Sequence, residues 1–202
     1  MNRAAAALSG IGAALLLAAV GLAVIDPAIL HPFTPAAGGE QSNLDIGGPF
    51  TLTAADGRTV TDADFRGKWM LVYFGYTHCP DACPTALNNI ANALDMLKER
   101  QKDMAPVFIT VDPARDTPDV MGKYVGLFDK QITGLTGTQA QLDIAEQEYR
   151  VYAARHAEKN GGYSMDHSSI IYVMDKAGHF STFIDGAASA EDIAARLRKL
   201  DS

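Results

Sequence analysis

Apolar positions along the chain change their period several times, and each change predicts an element. Residues 4–25, AAAALSGIGAALLLAAVGLAVI, run for 22 positions without a charge. At ~1.5 Å rise per residue such a run spans about 30 Å as a helix, the thickness of a bilayer's hydrocarbon core. Residues 26–44, DPAILHPFTPAAGGEQSNL, mix Pro, Gly and small polar residues and read as a flexible linker. From residue 45 the apolar runs become short. FTLTAADGRTVTDADF alternates about a turn at Ala54, Asp56 and Gly57, which predicts a β-hairpin. Residues 69–74 are an unbroken apolar, β-rich run and predict a buried central strand.

Beyond Pro84, residues Leu87, Ile90, Ala91, Leu94 and Leu97 recur at helical spacing, and proline suits the first turn of a helix. APVFITVD predicts a second buried strand, and Thr117-Pro118 reads as a helix cap followed by a first helical residue. ITGLTG is a short strand or loop, after which Thr138 can cap a helix carrying Leu142, Ala145 and Tyr149 on one face. SSIIYVMDKAGHFSTFID predicts a hairpin turning at residues 175–178. A last helix starts from a capping pattern at Ser189 and places Ile193, Leu197 and Leu200 on one stripe. The order is that of an α/β domain, a central mixed sheet flanked by helices with an N-terminal β-hairpin. A thioredoxin-like fold satisfies it. The division expected is a membrane anchor over 1–25, a linker over 26–44 and a domain over 45–202.

Charge gives the apolar tract a direction. Arg3 and the amino terminus precede it and Asp26 follows, so the positive-inside bias keeps the amino terminus in the cytoplasm and exports the rest. A cleavable secretory signal is the rival reading, because small residues recur near the end of the tract; against it, the run is longer than a signal core and no clear A-x-A site closes it. A mitochondrial presequence would be richer in arginine. The expected location is a bacterial inner membrane, with the soluble domain facing the periplasm. A formal net charge of −7 and the lack of a basic stripe argue against a nucleic-acid partner.

The chain's two cysteines, Cys79 and Cys83, follow the central strand and precede the helix that opens near Pro84. The carboxyl edge of an open α/β sheet is where sites are built. A structural disulfide would close a tiny loop and remove little unfolded-state entropy, and a domain this large does not need the staple. A redox pair is a stronger reading, since a helix amino terminus stabilises thiolates. The C-x-x-x-C spacing is one residue longer than the thioredoxin-type pair. Two helical cysteines would have Cβ atoms ~5–6 Å apart, against ~3.8 Å in an unstrained disulfide. Pro80 and Pro84 weaken that objection by disfavouring helix just before them. A metal clasp needs only convergence on one ion, and two thiolates suit a soft ion such as Cu(I).

A clasp of two ligands calls for a third. His31 lies in the linker and reads as solvated. His78 would point away from Cys79 if the backbone is extended; His156 and His179 read as surface residues. His167 stands out at the start of a predicted buried strand, after Gly161-Gly162 and beside Asp166. Met165 and Met174 are soft donors that more often pack. Asp112 ends its strand at the same sheet edge if that strand is parallel, where it could orient a ligand or only form a turn.

FGYTHCPDACPT, ITVDPARDTP, GLTGT and DHSSIIYVMDKAG, in this order behind an amino-terminal apolar tract, closely resemble the SCO/SenC family of copper chaperones, from about Gly47 to the last helix. The resemblance implies a thioredoxin-like fold and a mononuclear copper site with Cys79, Cys83 and His167 as ligands. Asp81 matches the family's aspartate between the cysteines, Asp112 matches its VDP aspartate, and Asp166 neighbours the ligand histidine. The copper would be Cu(I), with Cu(II) as a second state. The resemblance also implies delivery of copper to the CuA centre of cytochrome c oxidase subunit II, or reduction of that centre's cysteines. Another periplasmic copper chaperone or a thioredoxin-like reductant would be a further partner.

On this reading the reduced pair binds copper and the oxidised pair, a disulfide, does not. A loop over residues 158–164 would carry His167 in and out. The expected role is a membrane-anchored metallochaperone and not a turnover enzyme. The rival is a periplasmic thiol-disulfide oxidoreductase, acting on the CuA-site cysteines or on another disulfide or peroxide, in which Cys79 and Cys83 are the catalytic pair. A sensor that signals copper or redox state through partner binding is a third reading.

Overall fold

The computed structural model describes residues 46–159 and 161–200, which fall within one compact unit. The apolar tract at 4–25, the linker with His31 and the expected domain boundary at 45 lie outside the described residues. Among the described residues no helix is long and apolar enough to cross a membrane.

The predicted central strand is β3 (Trp69–Gly75), with every residue buried. Successive side chains on a strand face opposite ways, so complete burial requires cover on both faces. Before it come β1 (Thr51–Ala54) and β2 (Thr59–Thr61), paired antiparallel about a turn in which Gly57 takes φ +82°. After it come helix α1 (Ala82–Leu97), β4 (Met104–Thr110), α2 (Pro118–Val125), β5 (Thr133–Thr136) and α3 (Gln139–Glu148). Two hairpin strands follow, β6 (Ala153–Ala157) and β7 (Tyr163–His167), then β8 (Ile170–Met174), β9 (Phe180–Asp185) and α4 (Ala190–Leu197).

Seven strands form one mixed sheet in the order β2-β1-β5-β4-β3-β8-β9. β3, β4 and β5 are parallel, and the outer pairings are antiparallel. The crossovers β3-α1-β4 and β4-α2-β5 step in one direction across the sheet, so right-handed connections put α1 and α2 on the same face. Ring contacts agree. Tyr124 of α2 meets Phe108 (5.6 Å between centroids), whose ring lies beside Tyr73. Tyr149, at the end of α3, meets Phe74 on the opposite face at 5.4 Å. Helix α4 packs against α1. This is the mixed sheet flanked by helices, with its N-terminal hairpin, that the sequence predicts.

Local chemistry places the boundaries. The Thr117 hydroxyl accepts from the Val120 N–H ahead of Pro118. Thr138 and Gln141 form a capping box, and Ser189 accepts from the Asp192 N–H. Pro106, inside a central strand, escapes the usual objection because β5 pairs with β4 only from Val107 onward.

One element departs from the sequence reading. His167 ends β7 instead of opening a buried strand, and β7 pairs with β6 in a separate two-stranded sheet, Ala153 opposite His167 and Ala157 opposite Tyr163. The Glu158 N–H donates to the Gly162 carbonyl (2.9 Å) at the open end of the pair, and Tyr163 and Ser164 are strand and not loop.

Candidate metal centre

The carboxyl end of β3 runs directly into the cysteine loop. Cys79 lies just before α1, and its N–H donates to the Tyr76 carbonyl at 3.2 Å. Cys83 is the second residue of α1, fully buried and helical although Pro84 follows it. Only one cysteine is therefore helical, and the α-helical spacing that would hold the two apart does not apply. The Cys83 N–H, free at the helix amino terminus, donates to Cys79 Sγ at 3.3 Å. Neither cysteine is in a disulfide.

His167 comes to them from the other end of the chain. Its ring sits edge-on between Tyr73 and Tyr76, with centroids 6.0 and 5.9 Å away and planes 84° and 86° apart. Nδ1 lies 3.2 Å from the Ser168 carbonyl oxygen. A carbonyl can only accept, so Nδ1 carries the proton and Nε2 presents its lone pair. Nε2 is 3.4 Å from Cys83 Sγ. The two sulfurs and one imidazole nitrogen all lie within 4.8 Å of one another. A trigonal site with bonds of about 2.0 Å to nitrogen and 2.3 Å to sulfur would set its donor atoms roughly 4 Å apart. The three donors fit one ion with little movement, and two thiolates with one imidazole suit a soft or borderline metal.

The thiols differ in acidity. Cys79 is pulled down to about 3, first by the hydrogen bond from Cys83, with the backbone N–H groups of Cys83 and Asp81 adding to it and burial opposing. Cys83 is pushed above its ordinary value, since its thiol donates to Cys79 and burial disfavours its charge. Of the two, Cys79 is therefore the one favoured as thiolate.

The aspartates named beside the ligands occupy three different places. Asp81 is exposed at the residue before α1, makes no side-chain cap bond to it, and accepts weakly from the Thr85 hydroxyl (3.4 Å). Asp166 points to His156 (2.9 Å), both side chains being more than half exposed. Asp112, 3% exposed, pairs with Arg115 and accepts from the Tyr163 hydroxyl at 2.9 Å. Among the described residues, the remaining histidines keep to the surface. His78 makes contacts with Thr77 (3.1 Å) and Asp116 (3.9 Å), and His179 leans on Asp175 in the β8–β9 turn. Met174 is core and Met165 packs against it.

Asp116, unremarked in the sequence, fixes the cysteine loop. Fully buried, it accepts from the Thr77 N–H (3.0 Å), the Thr77 hydroxyl (2.6 Å) and the Thr110 hydroxyl (2.6 Å). The only available signal was an acidic residue just before a helix cap, which a solvated turn explains equally well.

The SCO1/SenC family model matches residues 38–201, a span that takes in every described residue. The chain belongs to the SCO1/SenC family. It is 44% identical over 154 residues to the protein SenC of Rhodobacter capsulatus, covering 76% of this chain and 70% of that one. It is 43% identical over 139 residues to the mitochondrial SCO1 homolog 1 of Arabidopsis thaliana, across 68% of this chain and 42% of the longer relative. Among solved structures, Bradyrhizobium japonicum ScoI with copper bound matches with a TM-score of 0.71 and 43% identity, over 76% of this chain and 98% of that one. Within this SCO1/SenC domain, Cys79, Cys83 and His167 are the one group of three or more His, Cys, Asp or Glu side chains, among the described residues, arranged to hold a metal.

Proposed function

We propose that this protein is a copper metallochaperone for cytochrome c oxidase assembly. It takes one Cu(I) on Cys79, Cys83 and His167 and passes it to the CuA centre of subunit II. The observation that carries this reading is the convergence of two sulfurs and an imidazole nitrogen within 4.8 Å. Family membership, and the copper in the structure of the Bradyrhizobium relative, support the choice of metal. The apolar tract at 4–25 anchors the chain in a bacterial inner membrane, and the domain works in the periplasm.

The graded burial of the ligands orders the transfer. His167 and Cys79 are partly exposed, whereas Cys83 is enclosed. An acceptor thiolate displaces the partly exposed His167 and Cys79 before the enclosed Cys83, which releases last. Both cysteines must bind as thiolates, so capture releases protons and copper affinity falls as pH is lowered.

The more acidic Cys79 beside Cys83 favours a second reading, thiol-disulfide exchange. Attack by Cys79 on a substrate disulfide gives a mixed disulfide. Cys83 then attacks Cys79 Sγ, releasing the substrate as two thiols and leaving Cys79–Cys83 oxidised.

Anaerobic Cu(I) titration of the reduced domain against a competing chelator separates the two. We expect one tightly held copper per chain and a loss of at least ~10-fold in affinity for each of Cys79→Ser, Cys83→Ser and His167→Ala, a cost even outer-shell changes reach. A variant that keeps wild-type affinity removes its residue from the ligand set. Weak binding together with rapid metal-free disulfide reduction, unaffected by His167→Ala, selects the exchange reading.

A further inference from the structure

β7 supplies a metal ligand but belongs to no ladder of the main sheet, since it pairs only with β6. Something other than strand pairing must therefore fix where His167 lies. Its C-terminal side is tethered through Ser169, whose carbonyl accepts from the Gly186 N–H (3.0 Å) and whose hydroxyl meets Tyr73 OH (3.3 Å). The other end of the strand is Tyr163. At ~3.3 Å per residue it is about 13 Å from His167, and the period of two puts both on one side of β7, with Met165 between them.

Tyr163 is gripped by the loop that follows β4. Its hydroxyl donates to Asp112 Oδ1 (2.9 Å), and its carbonyl accepts from Arg115 Nη1 (3.0 Å). The Arg115 guanidinium lies 3.7 Å from the ring centroid, while Arg155 of β6 lies 3.5 Å from it. Arg115 Nε pairs with Asp112, and the guanidinium also approaches the ring of Tyr76, one of the two rings that flank His167. A few residues on, the same loop holds the cysteine segment through Asp116 and Thr77.

We propose that this loop is a yoke joining both halves of the metal site: Asp116 sets the cysteine loop, and Asp112, Arg115 and Tyr163 clasp the β6–β7 hairpin and thereby position His167. The inference rests on the copper-site reading above. Arg115 and Tyr163 are positioning residues and do not touch the metal. Opening the clasp frees the hairpin and leaves two sulfur ligands, so the clasp determines how much of the bound copper is three-coordinate.

The test uses the full chain in detergent, as wild type, Tyr163→Ala, Tyr163→Phe, Arg115→Lys and His167→Ala, with Tyr163→Ala also combined with His167→Ala. Arg115→Lys keeps a charge for Asp112 while losing the flat stack and the carbonyl bond, so the clasp stays testable if Tyr163→Ala folds poorly. Without metal, Tyr163→Ala should speed amide exchange across 153–157 and 163–167 while β3 and β4 stay protected. With Cu(I), it should cost about 10-fold in affinity, the lower end for outer-shell partners, and close to nothing when His167 is already alanine. Tyr163→Phe and Arg115→Lys should fall between.

Hairpin exchange as slow in both Tyr163→Ala and Arg115→Lys as in the wild type overturns the clasp, whatever copper does. An equal affinity loss with and without His167 overturns its action through that ligand. If His167→Ala itself binds copper like the wild type, the copper-site reading fails, and metal-free hairpin exchange alone decides whether the clasp exists.

Discussion

At the scale of single residues, the site is held by groups that sequence chemistry undervalues. Asp116 satisfies three donors in a place without water access. Asp116→Ala should cost about 2–4 kcal/mol in chemical denaturation, because each buried donor left unpaired carries its own desolvation penalty. A loss below about 0.5 kcal/mol, the range of ordinary surface changes, would contradict that role. The three side chains that converge were each singled out in the sequence: two cysteines at a strand-to-helix junction and one histidine picked by context. Asp112 and Asp116 were not distinguishable from turn aspartates, because what sets them apart is burial beside threonines and a tyrosine distant in sequence.

Among the elements, long apolar runs spoke clearly. β3, β4, α1 and the capped helices α2, α3 and α4 stand where periodicity and cap residues predict. The β6–β7 hairpin was missed for a physical reason. AARHAEKNGGYSMDH buries little and pairs only with itself, so it carries no apolar alternation for a core to impose. The junction between β3 and α1 makes its own prediction. A Cβ added at Gly75 would lie 2.6 Å from Cys83 Sγ and 2.8 Å from the Phe108 ring, closer than atoms can pack. Gly75→Ala should destabilise the fold by about 1–3 kcal/mol and alter the copper-bound spectrum, since Cys83 must move. An unchanged melting temperature with an unchanged spectrum would show that the junction has slack.

Across the whole molecule, stability should carry a pH signature outside the metal site. Glu146 on α3 is raised to about 7, mainly by burial, with the charge of Asp143 adding to it, and its Oε1 is buried without a partner. A folded pKa above the ordinary 4.5 means that the folded state favours the protonated acid, so this contribution is intact below about pH 4.5 and lost as pH rises through 7. Glu146→Gln should therefore stabilise the domain at pH 8, by less than about 1 kcal/mol because water screens a partly exposed carboxylate, and leave it unchanged at pH 4. Equal effects at both pH values would contradict the assignment.

Whether one copper is held by two sulfurs from one end of the sheet and an imidazole from a separate hairpin can be read from X-ray absorption at the copper edge of the Cu(I)-loaded protein. The first shell should be two sulfurs and one nitrogen, with the nitrogen lost in His167→Ala and one sulfur lost in Cys79→Ser. A shell of sulfur alone, or one that His167→Ala leaves unchanged, would contradict it.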